Sequence, residues 1–378
     1  VKPESGLSNN LKTTRTRLGL SQQQLAELAG VTRQTIGGIE AGLYAPSAAV
    51  ALRLAKGLGC RVEDLFWLEE DLPTVVAWPA GEIPSEIPLR VTLAQVEGRW
   101  VAHPLRGEQA LRTEMVPADG LGMREANTET LSVKLLDDPE NLARSVVIAG
   151  CTPSLSLWAR SAERWYPGLR VHWVHANSLA ALGSLARGEV HAAGLHLCDP
   201  VTGEYNVPYV QAMFPNRPVV LITLGWWEEG FLLPPGNPKR LRQAADLVRK
   251  DVALVNREEG AGARLLLDTL LRTEGIPPTK VAGYARTVAS HQEIARAVAS
   301  GQADVGVSTA SVAAMYGLAF VPLQRVRYDL ALRKESLDHE PVRQLLGTLH
   351  HRWVRSQLNL LGGFDTTQTG EIVSTIRR

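Results

Sequence analysis

Apolar positions along this 378-residue chain repeat with two different periods, and the chain divides where the period changes. In residues 20–42, L-S-Q-Q-Q-L-A-E-L-A-G-V-T-R-Q-T-I-G-G-I-E-A-G, first Leu25, Leu28 and Ala29 and then Ile36 and Ile39 recur at three- and four-residue spacing. That spacing predicts two short helices. Ser21 is suited to cap the first, Gly30 to end it in the left-handed conformation, and Thr32 to cap the second at once. Arg33, Gln34 and Thr35 are then left on the outer face of the second helix's first turn. A further helix over residues 48–58 follows Ser47, with Val50, Leu52, Leu54, Ala55 and Leu58 as its inward stripe. The acidic exit E-E-D-L-P at residues 69–73, followed by Pro79, Pro84 and Pro88, makes further helix unfavourable.

The period then shortens. Residues 89–105 predict a hairpin turning at Glu97 and Gly98, and residues 131–136 a further strand, so residues 73–144 read as a small β-rich connector. From Ser145 strands (145–149, 169–174, 190–196) alternate with helices (to about 166, then 178–187). Residues 217–225 are expected to cross between two lobes. A second set follows, with strands 252–256, 280–284 and 303–307 and helices 261–273 and 291–299. Such alternation builds a mainly parallel sheet covered on both faces. The expected fold is multidomain: an all-α domain (1–72), the connector, and a two-lobed α/β domain (145–378). Its first lobe spans about 145–216 plus a C-terminal segment, and its second about 230–325.

Charge and cysteine usage refine this picture. The formal net charge is +1, so the whole molecule carries no nucleic-acid signature. Up to Cys60, however, Lys2, Lys12, Arg15, Arg17, Arg33, Arg53 and Lys56 stand against Glu4, Glu27 and Glu40, a local basic excess. Cys60, Cys151 and Cys198 are isolated, giving neither a disulfide framework nor metal-ligand spacing, as expected for a reducing cytoplasm. The sequence has no apolar signal region and no run long enough to span a bilayer, so neither export nor membrane insertion is expected.

Residues 8–68 resemble the Cro/C1 type of repressor domain, the XRE family of helix-turn-helix proteins. The resemblance implies that Gln22 holds a DNA phosphate and that Arg33 and Gln34 read bases, flanked by Thr32 and Thr35. Forked Arg and Gln side chains suit guanine and adenine. Ile39, Glu40 and Gly42 match the family's helix ending, and residues 62–67 its last short helix. Gly38 departs from the pattern, since relatives often carry a base-contacting side chain there.

In the second half, V-N-R-E-E-G-A-G-A-R-L-L-L-D at residues 255–268 ends a strand in Asn256 and Arg257. A glycine loop, Gly260-Ala261-Gly262-Ala263, then leads into a helix carrying Arg264. Free amides at a helix start favour an anion. With A-G-C-T-P-S-L (149–155), G-L-H-L-C-D (194–199), T-G-E-Y-N (202–206), P-P-G-N-P (234–238) and G-Q-A-D-V-G (301–306), this region resembles the PBP-like domain found behind XRE domains in bacterial regulators. Many of those are connected with molybdenum or tungsten metabolism. The resemblance implies a type II periplasmic-binding-protein-like fold whose cleft holds a small anion. Related loops read G-S-G-T-R, so Ala261 and Ala263 remove two hydroxyl donors. Thr152 stands where Asp is common, while Ser154 and Ser156 still supply hydroxyls.

Asn177 and Ser178 start a helix and are candidates both for capping and for ligand contact; Tyr205 is a candidate for packing or for closing over a ligand. His291 begins a helix without Cys, His or carboxylate partners at ligand spacing, so no metal or cofactor is expected. Nucleophile-elbow, zincin, P-loop and paired-cysteine motifs are absent. The sequence therefore points to a non-enzymatic, homodimeric transcription regulator that binds double-stranded operator DNA and senses a small anion, with molybdate, tungstate or a molybdenum-cofactor compound as the ligand class. Two alternatives differ in the cleft: an assembly module without ligand, or an enzyme acting on a cofactor precursor, which would require a trio of close titratable side chains.

Overall fold

A computed structural model of the chain describes residues 7–68, 74–81, 89–105, 116–124 and 129–376. The E-E-D-L-P exit, Pro84 and Pro88 lie outside the described residues. Two compact units are formed, Val1–Pro73 and Thr74–Arg378.

The first unit contains β1 (Leu7–Asn9), α1 (Leu11–Arg17), α2 (Gln22–Ala29), α3 (Arg33–Glu40), α4 (Ala48–Leu58) and β2 (Phe66–Leu68), with β1 and β2 antiparallel. Local chemistry sets the helix ends. Ser21 Oγ accepts from Gln24 N at 3.2 Å while Gln24 Oε1 accepts from Ser21 N at 2.8 Å, a capping box. Gly30 closes α2 at φ 63°, and Thr32 Oγ1 accepts from Thr35 N at 3.1 Å. Leu11, Leu25, Ala26, Ala29, Ile36, Ile39, Leu54, Ala55 and Leu65 form the core. Leu28 and Leu52 are exposed, contrary to the predicted stripes. Ala26 takes the inward place on α2, and the stem of Leu28 covers Gly57 of α4 instead. Residues 62–65 form turns that lead into β2 rather than a last helix, because Phe66–Leu68 pairs with β1.

The second unit begins with a closed five-stranded barrel: β3 (Thr74–Pro79), β4 (Leu89–Val96), β5 (Arg99–Pro104), β6 (Gly120–Arg124) and β7 (Leu131–Leu135), ordered β3-β5-β4-β6-β7. Glu97 and Gly98, both at positive φ, make the β4–β5 turn. After the short α5 (Pro139–Leu142), the first lobe is built from β8 (Ser145–Gly150), α6 (Ser154–Trp165), β9 (Arg170–His175), α7 (Ser178–Ala186), β10 (Ala192–Leu195) and α8 (Val207–Met213). Strand β8 is parallel to both β9 and β10 and buried on both faces, hence its unbroken apolar run. Val146 and Ile148 pack on Leu155 and Trp158, whereas Val147 and Ala149 pack on Ala181, Leu182 and barrel residues Ala94, Val96 and Val101. One side of the barrel thus packs into the lobe's core, while Leu89, Val91, Leu93, Val133 and Leu135 form a core of the barrel's own.

Strand β11 (Val219–Leu233) leaves this lobe for the second, which holds β12 (Leu254–Arg257), α9 (Gly262–Thr273), β13 (Thr287–Val288), α10 (His291–Ala299), β14 (Val305–Thr309) and α11 (Ala310–Met315); β15 (Ala319–Arg333) returns. The sheet order is β13-β12-β14-β11-β15-β10-β8-β9, with β11 and β15 antiparallel along nearly their whole length. Of the chain's end, α12 (Glu340–Gly347) and α13 (Arg352–Asn359) pack on α6, while β16 (Phe364–Asp365) and β17 (Ile372–Ile376) pair with β11. The strand expected over residues 280–284 is absent. Gly283 adopts φ 87° there with an ideal Cβ position only 2.0 Å from Leu254 O, and the pairing falls to Thr287–Val288.

Candidate functional site

In the first unit, α3 presents Arg33, Gln34 and Thr35 on its first turn, where they are exposed or partly so. Thr32 and Thr35 hydroxyls stand 2.8 Å apart. Gln22 is tied down: its amide donates to Glu40 Oε2 at 2.9 Å, and Glu40 also takes Arg15 Nε at 2.6 Å and Nη2 at 3.1 Å. Burial would raise the Glu40 carboxyl, but the Arg15 and Gln22 hydrogen bonds outweigh it and hold the pKa below the ordinary value. This network links α1, α2 and α3, fixing the angle at which α3 is presented. Gly38 has a packing reason: a Cβ there would lie 2.5 Å from the Tyr44 ring, whose hydroxyl donates to Thr35 O at 3.2 Å.

In the second unit the two lobes are closed on each other. Leu179 N and Asn177 Nδ2 from the first lobe donate to Gly260 O and Glu259 O of the second, both at 3.2 Å, while Asn177 Oδ1 caps α7 through Ala180 N at 2.9 Å. No side chain caps α9, whose N-cap is Ala261, and Gly262 packs directly on His196 of the first lobe. Between the lobes lies a cavity of about 170 Å³, lined by His196, Cys198 and Asp199 on one side, Glu229 on the crossing strand, and Gly262 and Leu266 on the other.

Behind this cavity is a polar cluster that sequence spacing did not reveal. Cys151 Sγ is 3.6 Å and Ser178 Oγ 3.2 Å from His196 Nδ1, and His196 Nε2 stands 3.1 Å from Glu229 Oε1. His291 Nδ1 contacts Ser308 Oγ at 3.0 Å, leaving Nε2 buried without a hydrogen-bond partner. Burial alone would lower His196, yet the Cys151 sulfur and Glu229 carboxylate raise its pKa to about 10. His291 goes the other way: burial and then the Arg257 guanidinium push it well below its usual value. The motifs A-G-C-T-P-S-L and G-L-H-L-C-D contained Cys151 and His196, but only the sheet order carries them to His291.

Of the residues expected to contact a ligand, Gly262 alone lines the interlobe cavity, and the others lie around it or elsewhere. Arg257 is buried; its Nε and Nη2 each bond Glu258 at 2.9 Å, Nη2 also bonds Ala289 O at 3.0 Å, and Nη1 has no partner. Thr152 and Ser154 hydroxyls are 2.8 Å apart and buried. Asn256 serves the backbone, accepting from Arg257 N at 2.9 Å and donating to Tyr284 O at 3.2 Å. Ala263 lies in the second lobe's core. Three further candidates are also engaged elsewhere. Ser156 lines a separate cavity of about 370 Å³ between barrel and first lobe; Tyr205 donates to Arg325 O at 2.7 Å on the returning strand; Arg264 pairs with Asp268 at 3.0 Å and lies over the Tyr284 ring.

A two-lobed domain with a double crossing strand, joined to a helix-turn-helix unit, defines a two-module chain. Residues 159–350 match the family described as the PBP superfamily domain and residues 11–65 the helix-turn-helix family. The first match covers just over half the chain, which belongs to the PBP superfamily and carries an XRE-type helix-turn-helix domain. The protein YvgK of Bacillus subtilis is 35% identical over 200 residues, 53% of this chain, which spans 64% of that relative's length. A Clostridium pasteurianum protein, named for its place in the ferredoxin 2Fe-2S gene 5′ region, is 33% identical over 30% of this chain and all of its own length. The HTH-type transcriptional regulator YgzD of Bacillus subtilis is 48% identical over 17% of this chain and 98% of its own. Among the described residues no helix is long and apolar enough to cross a membrane.

Proposed function

We propose that the chain is a ligand-responsive transcription regulator whose α3 reads an operator as one half of a symmetric dimer, and whose interlobe cleft binds a small oxyanion. Arg33 and Gln34 are the base readers and Thr32, Thr35 and Gln22 border the DNA backbone. The observation carrying the ligand half is Arg257, buried beside the neutral His291 with Nη1 unpartnered. A buried guanidinium hydrogen left unsatisfied is costly, and an anion relieves that cost. The uncapped start of α9 and the Thr152 and Ser154 hydroxyls add donors without formal charge. Molybdate and tungstate are the first ligands to test, with sulfate and phosphate beside them. Binding biases the two states only through unequal affinity for them.

The test has two arms. Calorimetric titration of the four anions should give saturable binding that Arg257→Gln weakens, and no heat with any of them would overturn the anion reading. Arg33→Ala with Gln34→Ala should erase a footprint on the operator while anion binding persists; an unchanged footprint would remove α3 as the reading helix. A second reading, an enzyme acting within the cleft, is favoured by the Cys151–His196–Glu229 row, the close titratable trio such chemistry needs. Turnover of a candidate precursor abolished by Cys151→Ala would establish it.

A further inference from the structure

Among the described residues, Cys151, His196 and His291 offer ligand atoms that all lie within 4.8 Å of one another, and all three side chains are buried. We propose that this cluster is a transition-metal site for a borderline-soft divalent cation of the zinc class, bound by Cys151 Sγ, His196 Nδ1 and His291 Nε2 across the closed lobes.

Three independent features point there. The first is distance. A tetrahedral zinc with a sulfur at about 2.3 Å and a nitrogen at about 2.05 Å places those two atoms roughly 3.6 Å apart. The observed Sγ to Nδ1 separation is 3.6 Å. The second is the outer shell. A metal-bound histidine has its other nitrogen held by an oxygen, which fixes tautomer and ring orientation. Ser308 Oγ lies 3.0 Å from His291 Nδ1 and holds that ring on the side away from the proposed ion, while Glu229 Oε1 stands 3.1 Å from His196 Nε2 as a charge partner without hydrogen-bond geometry. The third is the orphan: His291 Nε2 is buried with no hydrogen-bond partner, and coordination supplies one. Ser178 Oγ, 3.2 Å from His196 Nδ1, is a second polar neighbour of that nitrogen.

The ligand types select the cation. One thiolate and two imidazoles suit zinc and its neighbours, not magnesium or calcium, which prefer all-oxygen shells. Binding releases to solvent the protons carried by the Cys151 sulfur and by His196 Nδ1. Cys151 and His196 belong to the first lobe and His291 to the second, so the ion is fully coordinated only when the lobes are closed. A bound ion therefore favours the closed lobes, a control separate from anion binding.

Co²⁺ is the probe. Added to chelator-treated full-length protein in anion-free buffer, one equivalent should give a near-ultraviolet sulfur-to-cobalt charge-transfer band and visible bands of a tetrahedral site, and should quench Trp227, whose ring centroid is 5.5 Å from that of His196. Zn²⁺ should displace it. Cys151→Ser should lose the ultraviolet band, and His291→Ala should weaken Co²⁺ binding at least about tenfold; circular dichroism identifies a variant that has not folded, and the other then carries the test. Absence of tetrahedral Co²⁺ bands with wild-type protein, or bands unchanged in both folded variants, would overturn the proposal. Anion titrations of the same chelator-treated protein read the oxyanion proposal separately, so either can fail alone.

Discussion

Acidification from pH 7 to pH 5 should destabilise the second unit through two histidines at the junction of barrel and first lobe. His191 is buried between Val147 N, which donates to its Nδ1 at 3.0 Å, and Gln95 O, which accepts from its Nε2 at 2.9 Å. Only the neutral ring can accept at Nδ1. Burial, and then the stacked His339, lower its pKa to about 3. His103, buried with Nε2 3.1 Å from Glu189 O, is lowered to about 4, by burial and then by His172. Both folded values lie below the unfolded value near 6.5, so the unfolded chain takes up the proton first. The stability is fully present above about pH 6.5 and is lost as the pH falls toward the folded values. From about 6.5 to pH 5 is roughly 1.5 pH units at about 1.4 kcal/mol each, or about 2 kcal/mol per histidine. Urea unfolding followed by tryptophan fluorescence at pH 7 and pH 5 measures the loss. His191→Gln, whose amide can both accept and donate, should remove about half of it, and a variant with the wild-type pH slope would refute the assignment.

Three further outcomes follow from the packing. Gly262→Ala places a Cβ 2.4 Å from His196 O and Cδ2 across the lobes, so closure should be blocked; anion or Co²⁺ affinity should fall roughly tenfold or more while the thermal midpoint hardly moves, and unaltered affinity would exclude the closed geometry as the binding state. Arg15→Ala leaves the Glu40 carboxylate held by the Gln22 amide alone and should cost the first unit about 2 kcal/mol, read by chemical denaturation; a loss below about 0.5 kcal/mol would mean the pair adds little. Gly38→Ala should stabilise α3 by about 1 kcal/mol when Tyr44 is also Ala, but not beside the native Tyr44; equal effects in both backgrounds would remove Tyr44 as the reason for the glycine.

Features encoded by neighbouring residues were readable. Ser21, Gly30, Thr32 and Ser47 each end or start a helix through bonds to groups a few positions away, and all four do so in the structure. The lobes were readable too, because β8 and its companions must be apolar on both faces. Depth was harder. Periodicity located a face on α2 and α4 but not how far Leu28 and Leu52 would reach into it, since that depends on the neighbouring helix. Arg264 looked like a cleft charge because it follows the glycine loop, yet one turn along α9 it meets Asp268. The Cys151–His196–His291 convergence had no local signal at all: its spacing exists only after β8, β10 and α10 are assembled around the crossing strands.

The pairing of β11 with β15 carries a consequence for how such a domain can be recombined. Each strand is 15 residues long and serves both lobes, so their alignment is common property: a slip of one residue in either lobe would turn every side chain of the other to the opposite face. The irregularities at Thr223/Gly225 and Glu229/Gly230 fix that alignment at two points, one of them at Glu229 itself. A lobe exchanged with a relative's therefore has to bring both strands with their bulges, because the registration between them is the one component that neither half owns.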